Sequence, residues 1–273
     1  VEYPLKDTHF PTINPESPYT LTDEEQEVVN KLIYSFKANE KLRKHIRCLY
    51  SRGSLYLVRN GNLLYHGSML MNEDGTFKKV KILGEEYAGK ALFDKIDSLV
   101  RIGYFEDQNP ELKKFGEDFM WFLWCGPYSP QYDKDKMATF ERYFIADKTT
   151  HKETKGAYSK LKLRKDICEM ILQEFGVTGE HTHIINGHIP VKANQGETPI
   201  KADGKLLVID GGFSKAYQEE TGIAGYTLIF NSHGLKLAQH QPFESAEKAA
   251  LLGEDIISST TVVEFVSNRM LVK

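Results

Sequence analysis

Residues 54–67 read SLYLVRNGNLLYHG. Two β-prone runs rich in Leu, Val and Tyr flank Asn60-Gly61, the pair best able to adopt positive φ at both positions of a tight turn, so a β-hairpin is predicted here. Its second strand runs out at His66-Gly67. Residues 185–192, INGHIPVK, have the same arrangement: an apolar pair, then Gly187-His188, with Pro190 closing off further pairing. Two readings of a histidine at such a strand end stay open. It is an incidental imidazole on a surface turn, or it is a ligand for a transition metal, for which neutral imidazole is the commonest protein donor and beside which glycine lets backbone approach closely.

The segments on either side set the fold class. Pro4, Pro11, Pro15 and Pro18 imply an extended opening segment that wraps over other structure. Thr22-Asp23-Glu24-Glu25 resembles a capping box, and Val28, Val29, Leu32, Ile33 and Phe36 follow at helical spacing, predicting a helix that continues in some form to about Tyr50. Further helical faces run through Leu92, Ile96 and Leu99, through Leu112, Phe115, Phe119 and Phe122, and through Ile167, Met170, Ile171 and Phe175, with Gly176 placed to end the last. Trp121 and Trp124 read as a buried aromatic helix end. The stretch WCGPYSPQYDKDKMATFERYF after it reads as a long connecting loop, a length often tied to function. Beyond Gly176 come short β-type runs, HIING, KLLVIDGG, GYTLIFNSHG, LKLAQHQPF and TTVVEFV, with Asn231-Ser232-His233-Gly234 as a second hairpin turn. The prediction is an α+β fold in which pairing between residues 55–66 and 184–230 leaves no domain boundary, with a helical insertion at about 89–176.

The 273 residues are 41% hydrophobic, enough for a sizeable core, and carry a net charge of −3 with no block of one sign. Nucleic acid and membrane surfaces are therefore poor partners. No run approaches the roughly 18 apolar residues of a membrane span. Cys48, Cys125 and Cys168 lie in no metal-like spacing and read as reduced thiols of a cytoplasmic protein.

Other candidates are weaker. His181-x-His183 on one strand would point both rings the same way, but a polar strand edge explains them as well; His233 and His240 read as solvated. Asp210 ends a strand, and Gly211-Gly212 with Ser214-Lys215 could cradle an anion with backbone N–H groups, although such turns are common on geometric grounds alone. Lys192, Lys201 and Lys205 lie nearby in sequence. Arg52 and Arg142 could bind phosphate bidentately. Neither a G-x-S-x-G elbow nor a P-loop is present.

At these residues the chain resembles class III fructose-1,6-bisphosphatases of the calcineurin-like metallophosphoesterase superfamily. The resemblance runs through NPESPYTLTDEEQEVVNKLI, GSLYLVRNGNLLYHGSM, FLWCGPYSPQYDKDKMATFERYFIADK and the long run from His181 to Ser232. It implies part of a β-sandwich flanked by helices, with a two-metal centre, manganese being the expected ion, where strand ends meet. Tyr65-His66-Gly67 matches the superfamily's middle histidine motif and Gly187-His188 its late one, which makes His66 and His188 the expected ligands of the second metal. Other branches end in G-H-x-H; Pro190 stands in the second histidine's place here. The superfamily's first half supplies D-x-H, G-D-x-x-D-R-G and G-N-H-E. None of the three is read in this chain, which is expected to be the C-terminal part of the enzyme, 1–273 being one portion of a single domain whose N-terminal metal-binding half is missing. On this reading the intact enzyme hydrolyses fructose 1,6-bisphosphate to fructose 6-phosphate in gluconeogenesis, with Lys192, Lys215, Arg52 and Arg142 as candidate phosphate-binding residues. The chain alone binds metal weakly and is inactive. Its exposed core face is covered by the missing half or by self-association. The alternative is a non-catalytic module that binds a phosphorylated metabolite or a partner chain.

Overall fold

The computed structural model describes residues 2–212, 214–241, 245–252 and 258–265. The Pro-rich opening segment is exposed, as its composition implies. It is tied down where the Lys6 backbone N–H donates to the Phe144 carbonyl at 2.7 Å and where the Phe10 and Phe144 rings meet edge to face. Helix α1 (Asp23–Ala38) opens on the predicted capping box: the Thr22 hydroxyl accepts from the Glu25 N–H, and the Glu25 carboxylate accepts from the Thr22 N–H. The helix expected to continue in some form to about Tyr50 does so as two helices. At Asn39 the side chain accepts from the Leu42 N–H and starts α2 (Glu40–Arg52), because a short amide competes with the helical ladder for backbone groups. Neither helix buries a residue, so the apolar stripe of Val28, Leu32, Ile33 and Phe36 is 47–66% exposed.

The predicted hairpin is present as β1 (Tyr56–Arg59) and β2 (Asn62–Tyr65), antiparallel with Tyr56 opposite Tyr65. Asn60 and Gly61 sit at φ 50° and 75°, the left-handed conformation that a tight two-residue turn needs. A second hairpin, β3 (Val80–Ile82) with β4 (Glu85–Tyr87), was not legible, since it turns on Leu83 at φ 51°, where leucine is no turn signal.

Helices α3 (Gly89–Phe105) and α4 (Pro110–Cys125) pack against each other, and Leu92, Ile96 and Leu99 are buried as their spacing demands. The indoles of Trp121 and Trp124 are 65% and 60% exposed, which overturns the buried reading of this helix end. The buried positions of α4 are Gly116 and Leu123, and the two tryptophans lie off that side, packed on one another with ring centroids 5.1 Å apart. The connection that follows is not a plain loop either: it holds α5 (Thr139–Phe144). Then come α6 (Tyr158–Leu161) and α7 (Lys165–Glu174), after which Gly176 takes the predicted left-handed position at φ 71°.

The later strands are β5 (His183–Asn186), β6 (Ile200–Lys201) and β7 (Leu206–Val208), then α8 (Lys215–Thr221), β8 (Gly225–Asn231), β9 (Gly234–His240), α9 (Ala246–Leu252) and β10 (Ser258–Phe265). The first three join the first hairpin in a sheet of order β1-β2-β5-β7-β6, in which β2, β5 and β7 run parallel. A parallel neighbour needs a crossover, and α3 to α7 supply it between β2 and β5. Every residue of β5 is buried, as a central parallel strand requires. A second sheet, β10-β9-β8, is antiparallel, with Ser232-His233 as the predicted turn. On one face of the first sheet Leu63, Ile184 and Leu206 pack with Phe93 of α3, Ile171 of α7 and Phe175 at the end of that helix. On the other, Ile185 and Leu207 meet Leu235 of β9, with Leu64 and Leu228 half-buried around them. The architecture is α+β, a helical layer over one sheet with a second sheet beneath it.

Candidate functional site

The parallel pairing of β2, β5 and β7 aligns their C-terminal ends. Leu64 is in register with Ile185, and Asn186 with Val208, so the residues that follow each strand emerge along one sheet edge: His66 after β2, Gly187-His188 after β5, Asp210 after β7. The Gly187 N–H donates to the His66 carbonyl at 2.9 Å, and the Val191 N–H to the Asp210 carbonyl at 2.8 Å. These two bonds clamp the loop that carries His188. They hold it at φ 70°, a conformation a non-glycine residue adopts only when its surroundings impose it.

The two histidines reach each other. His188 Nδ1 and His66 Nε2 are 3.2 Å apart, with the rings edge to face. At that separation one neutral imidazole donates to the other, and two such nitrogens can reach one ion at about 2.0–2.1 Å from each. His66 is exposed and His188 half-buried. Burial holds the His188 imidazole below its usual pKa, helped by His66, Lys134 and Lys162, while Asp210 pulls the other way. The ring is thereby biased towards the neutral, ligating form.

Both histidines line a cleft of about 700 Å³ with Arg52, Asn186 and Asp210. Asn186 is fixed from behind by donating to the Tyr158 hydroxyl at 3.0 Å, and its Oδ1 is buried with no hydrogen-bond partner. An orphaned oxygen beside two converging imidazoles suits a cation-binding edge. The set is incomplete on its own, because no group of three or more His, Cys, Asp or Glu suited to a metal occurs among the described residues. The string Asp7-Thr8-His9 has the letters of a D-x-H motif, but it lies in the exposed opening segment and lines neither this cleft nor the smaller recess beside it.

Of the predicted residues, the fold brings together His66, His188 and Arg52. Arg142 lies on α5, 3.5 Å from Glu153. Lys192 follows the clamped loop, its backbone N–H donating to Glu197, and Lys215 opens α8. None of these three lines the cleft. Lys201 is paired with Glu197 at 2.5 Å, and Lys205 is buried, donating to the carbonyls of Glu180 and Thr182. His183 is also buried, its Nδ1 against the Gly204 carbonyl at 2.8 Å, and the strand begins only there, so His181 and His183 do not form a ligand pair on one strand. Asp210 was legible as a strand end; its place in the same cleft as the histidines was not, because that depends on β7 pairing beside β5.

No helix of the described residues is long and apolar enough to cross a membrane. No solved structure gives a significant match to the chain. Similar chains include a class 3 fructose-1,6-bisphosphatase of Bacteroides fragilis, 64% identical over 272 residues, and one of Bacteroides thetaiotaomicron, 60% identical over the same length; each match covers 100% of this chain and 41% of the relative. One from Clostridium botulinum is 57% identical over 267 residues, 98% of this chain and 40% of the relative. The chain thus spans about two-fifths of the length of the curated relatives it matches. A family model described as Firmicute fructose-1,6-bisphosphatase matches residues 1–273, and the chain belongs to that family.

Proposed function

We propose that this chain is the later portion of a metal-dependent fructose-1,6-bisphosphatase and contributes His66 and His188 to its metal centre. The observation that carries the reading is the parallel β2–β5 pairing, which sets the two ring nitrogens 3.2 Å apart at one sheet edge. The reaction is hydrolysis of fructose 1,6-bisphosphate to fructose 6-phosphate and phosphate, a step of gluconeogenesis in the cytoplasm. Manganese is the proposed ion; when bound, it polarises the phosphoryl group and lowers the pKa of a water ligand. The chain's own residues hold that ion with two neutral nitrogens, and Arg52 offers the substrate a cation from the same cleft. The two sheets form part of a metallophosphoesterase sandwich, completed by sequence that the longer relatives carry beyond this match. Residues 1–273 belong to one domain, into which about 89–176 is inserted.

Two imidazoles without a carboxylate cage bind a divalent ion weakly, so the isolated chain is inactive. The lack of a third donor among the described residues also favours a second reading, a non-catalytic module that binds a phosphorylated metabolite or a partner chain. Phosphate release from fructose 1,6-bisphosphate with excess Mn²⁺ separates the two. The isolated chain is expected to stay at the metal blank. A polypeptide extended to the full length of the relatives is expected to turn over, and to lose turnover on His188→Ala. Clear turnover by the isolated chain would sink the incomplete-site reading; an inert extended polypeptide would favour the module.

A further inference from the structure

On the far side of His188 lies a second recess, of about 30 Å³, that the activity so far described does not use. It shares Gly187 and His188 with the larger cleft, and Asp133, Lys134, Lys155 and Lys162 are the other charged residues that line it. We infer that this recess is a phosphate site, in which Lys155 and Lys162 hold the phosphate of the sugar bisphosphate that is not cleaved. The identity of the ligand rests on the fructose-bisphosphatase reading; the charge argument does not.

That argument begins with unpaired cations. Among the described residues, neither Lys155 nor Lys162 has a carboxylate within 4.0 Å, whereas their neighbours Lys134 and Lys201 are neutralised by Glu153 and Glu197 at 2.8 and 2.5 Å. Lys162 is half-buried over the Tyr158 ring. Burial, then Lys201 and Lys155, push its pKa down, while Glu197 and Asp133 pull it up. The recess therefore holds an ammonium group at a cost that an anion would relieve. Asp133 is the one acid on its wall. Its Oδ2 accepts from the Ser68 hydroxyl at 2.6 Å, so that oxygen is already engaged inside the protein; burial pushes its carboxyl above the ordinary value, while Ser68, Lys78 and Lys162 pull it down. The backbone of Lys155 is held by its bridge to Lys134, and Lys162 caps the C-terminal end of α6 seven residues on, so both lysines line the same recess.

Charge and position agree with this. A phosphate ester carries roughly −1.5 to −2 charge near neutral pH, which two lysines match, and lysine binds phosphate as a point charge. Gly187 and His188 line both recess and cleft, so the two spaces adjoin and a bisphosphate would have one phosphate for each. A monophosphate would fill only one side.

The test is calorimetric titration of the metal-free chain, in chelator, with fructose 6-phosphate and with inorganic phosphate. Binding is expected without metal. Lys162→Met and Lys155→Met, which keep the apolar stem, are each expected to weaken it by about tenfold or more, the loss that removing one charged partner brings. Lys79→Met, just before β3, is expected to leave it unchanged, and melting curves check that every variant is folded. Unchanged affinity in either recess variant would overturn the inference, as would absence of binding by the unaltered chain at millimolar fructose 6-phosphate. If binding and its lysine dependence hold while the extended polypeptide never hydrolyses the bisphosphate, the recess stands and the enzymatic reading falls. The reverse pattern would remove the recess and leave the enzyme.

Discussion

His188 concentrates the argument at the scale of one residue. Its left-handed backbone costs on the order of 1–3 kcal/mol and persists because hydrogen bonds on either side of it tie the loop to His66 and Asp210. The same loop half-buries the ring, and the pH consequence has a definite sign. In the folded chain its pKa lies below the ordinary 6.5, so as pH falls the unfolded chain takes up this proton first. The cost is absent above about pH 6.5, grows as pH falls from there to the folded value, and is constant below it. Denaturant midpoints measured from pH 8 to pH 5 are expected to fall with pH. Part of that fall should vanish in His188→Asn, which tolerates the left-handed conformation. An identical slope in the variant would count against a half-buried neutral His188.

At the scale of the element, the α3–α4 contact offers the sharpest prediction. A Cβ on Gly103 would lie 2.8 Å from the Gly116 carbonyl carbon and 2.9 Å from the Glu117 nitrogen, both backbone atoms that cannot rotate away. Alanine gains up to about 1 kcal/mol over glycine from helix propensity, whereas overpacking costs about 1–3 kcal/mol. Here the contact wins, so Gly103→Ala is expected to lower stability by about 1–2 kcal/mol, read from the urea midpoint. A stabilised variant would mean that the helices do not touch there. The helical periodicity of both segments was readable, and for α3 it named the buried residues. For α4 it did not: Leu112, Phe115, Phe119 and Phe122 are only half-buried, because the close approach is made by the glycine and not by the aromatic stripe. A glycine chosen for contact looks, in sequence, like a weak point in a helix.

For the whole molecule, the exposed apolar surface is the unresolved feature. Val28, Leu32, Ile33 and Phe36 present a stripe along α1, and Trp121 and Trp124 are open on α4. Isolated exposed apolar residues are ordinary, but a continuous stripe marks a contact surface. The isolated chain is therefore expected to self-associate through α1 at high concentration in sedimentation velocity. Leu32→Lys with Phe36→Lys should disperse it without lowering the melting temperature, since neither residue is in a core. A strictly monomeric, fully folded chain at several hundred micromolar would dismiss that expectation.

What the sequence by itself determined is local. Positive-φ residues at Asn60-Gly61, the capping box at Thr22 and Glu25, the terminating Gly176 and the apolar periodicity of α3 each act over a few neighbours, so their outcome is written in a few letters. The histidines at two strand ends were legible for the same reason. Their convergence was not. It required β2 and β5, about 120 residues apart, to pair in parallel, and β7 to bring Asp210 beside them. The unpaired lysines of the recess were likewise invisible, because whether a lysine has found a carboxylate depends on partners that only the packed chain brings near. Long-range pairing and the neutralisation of charge are properties of distance in space, and spacing along the chain does not encode them.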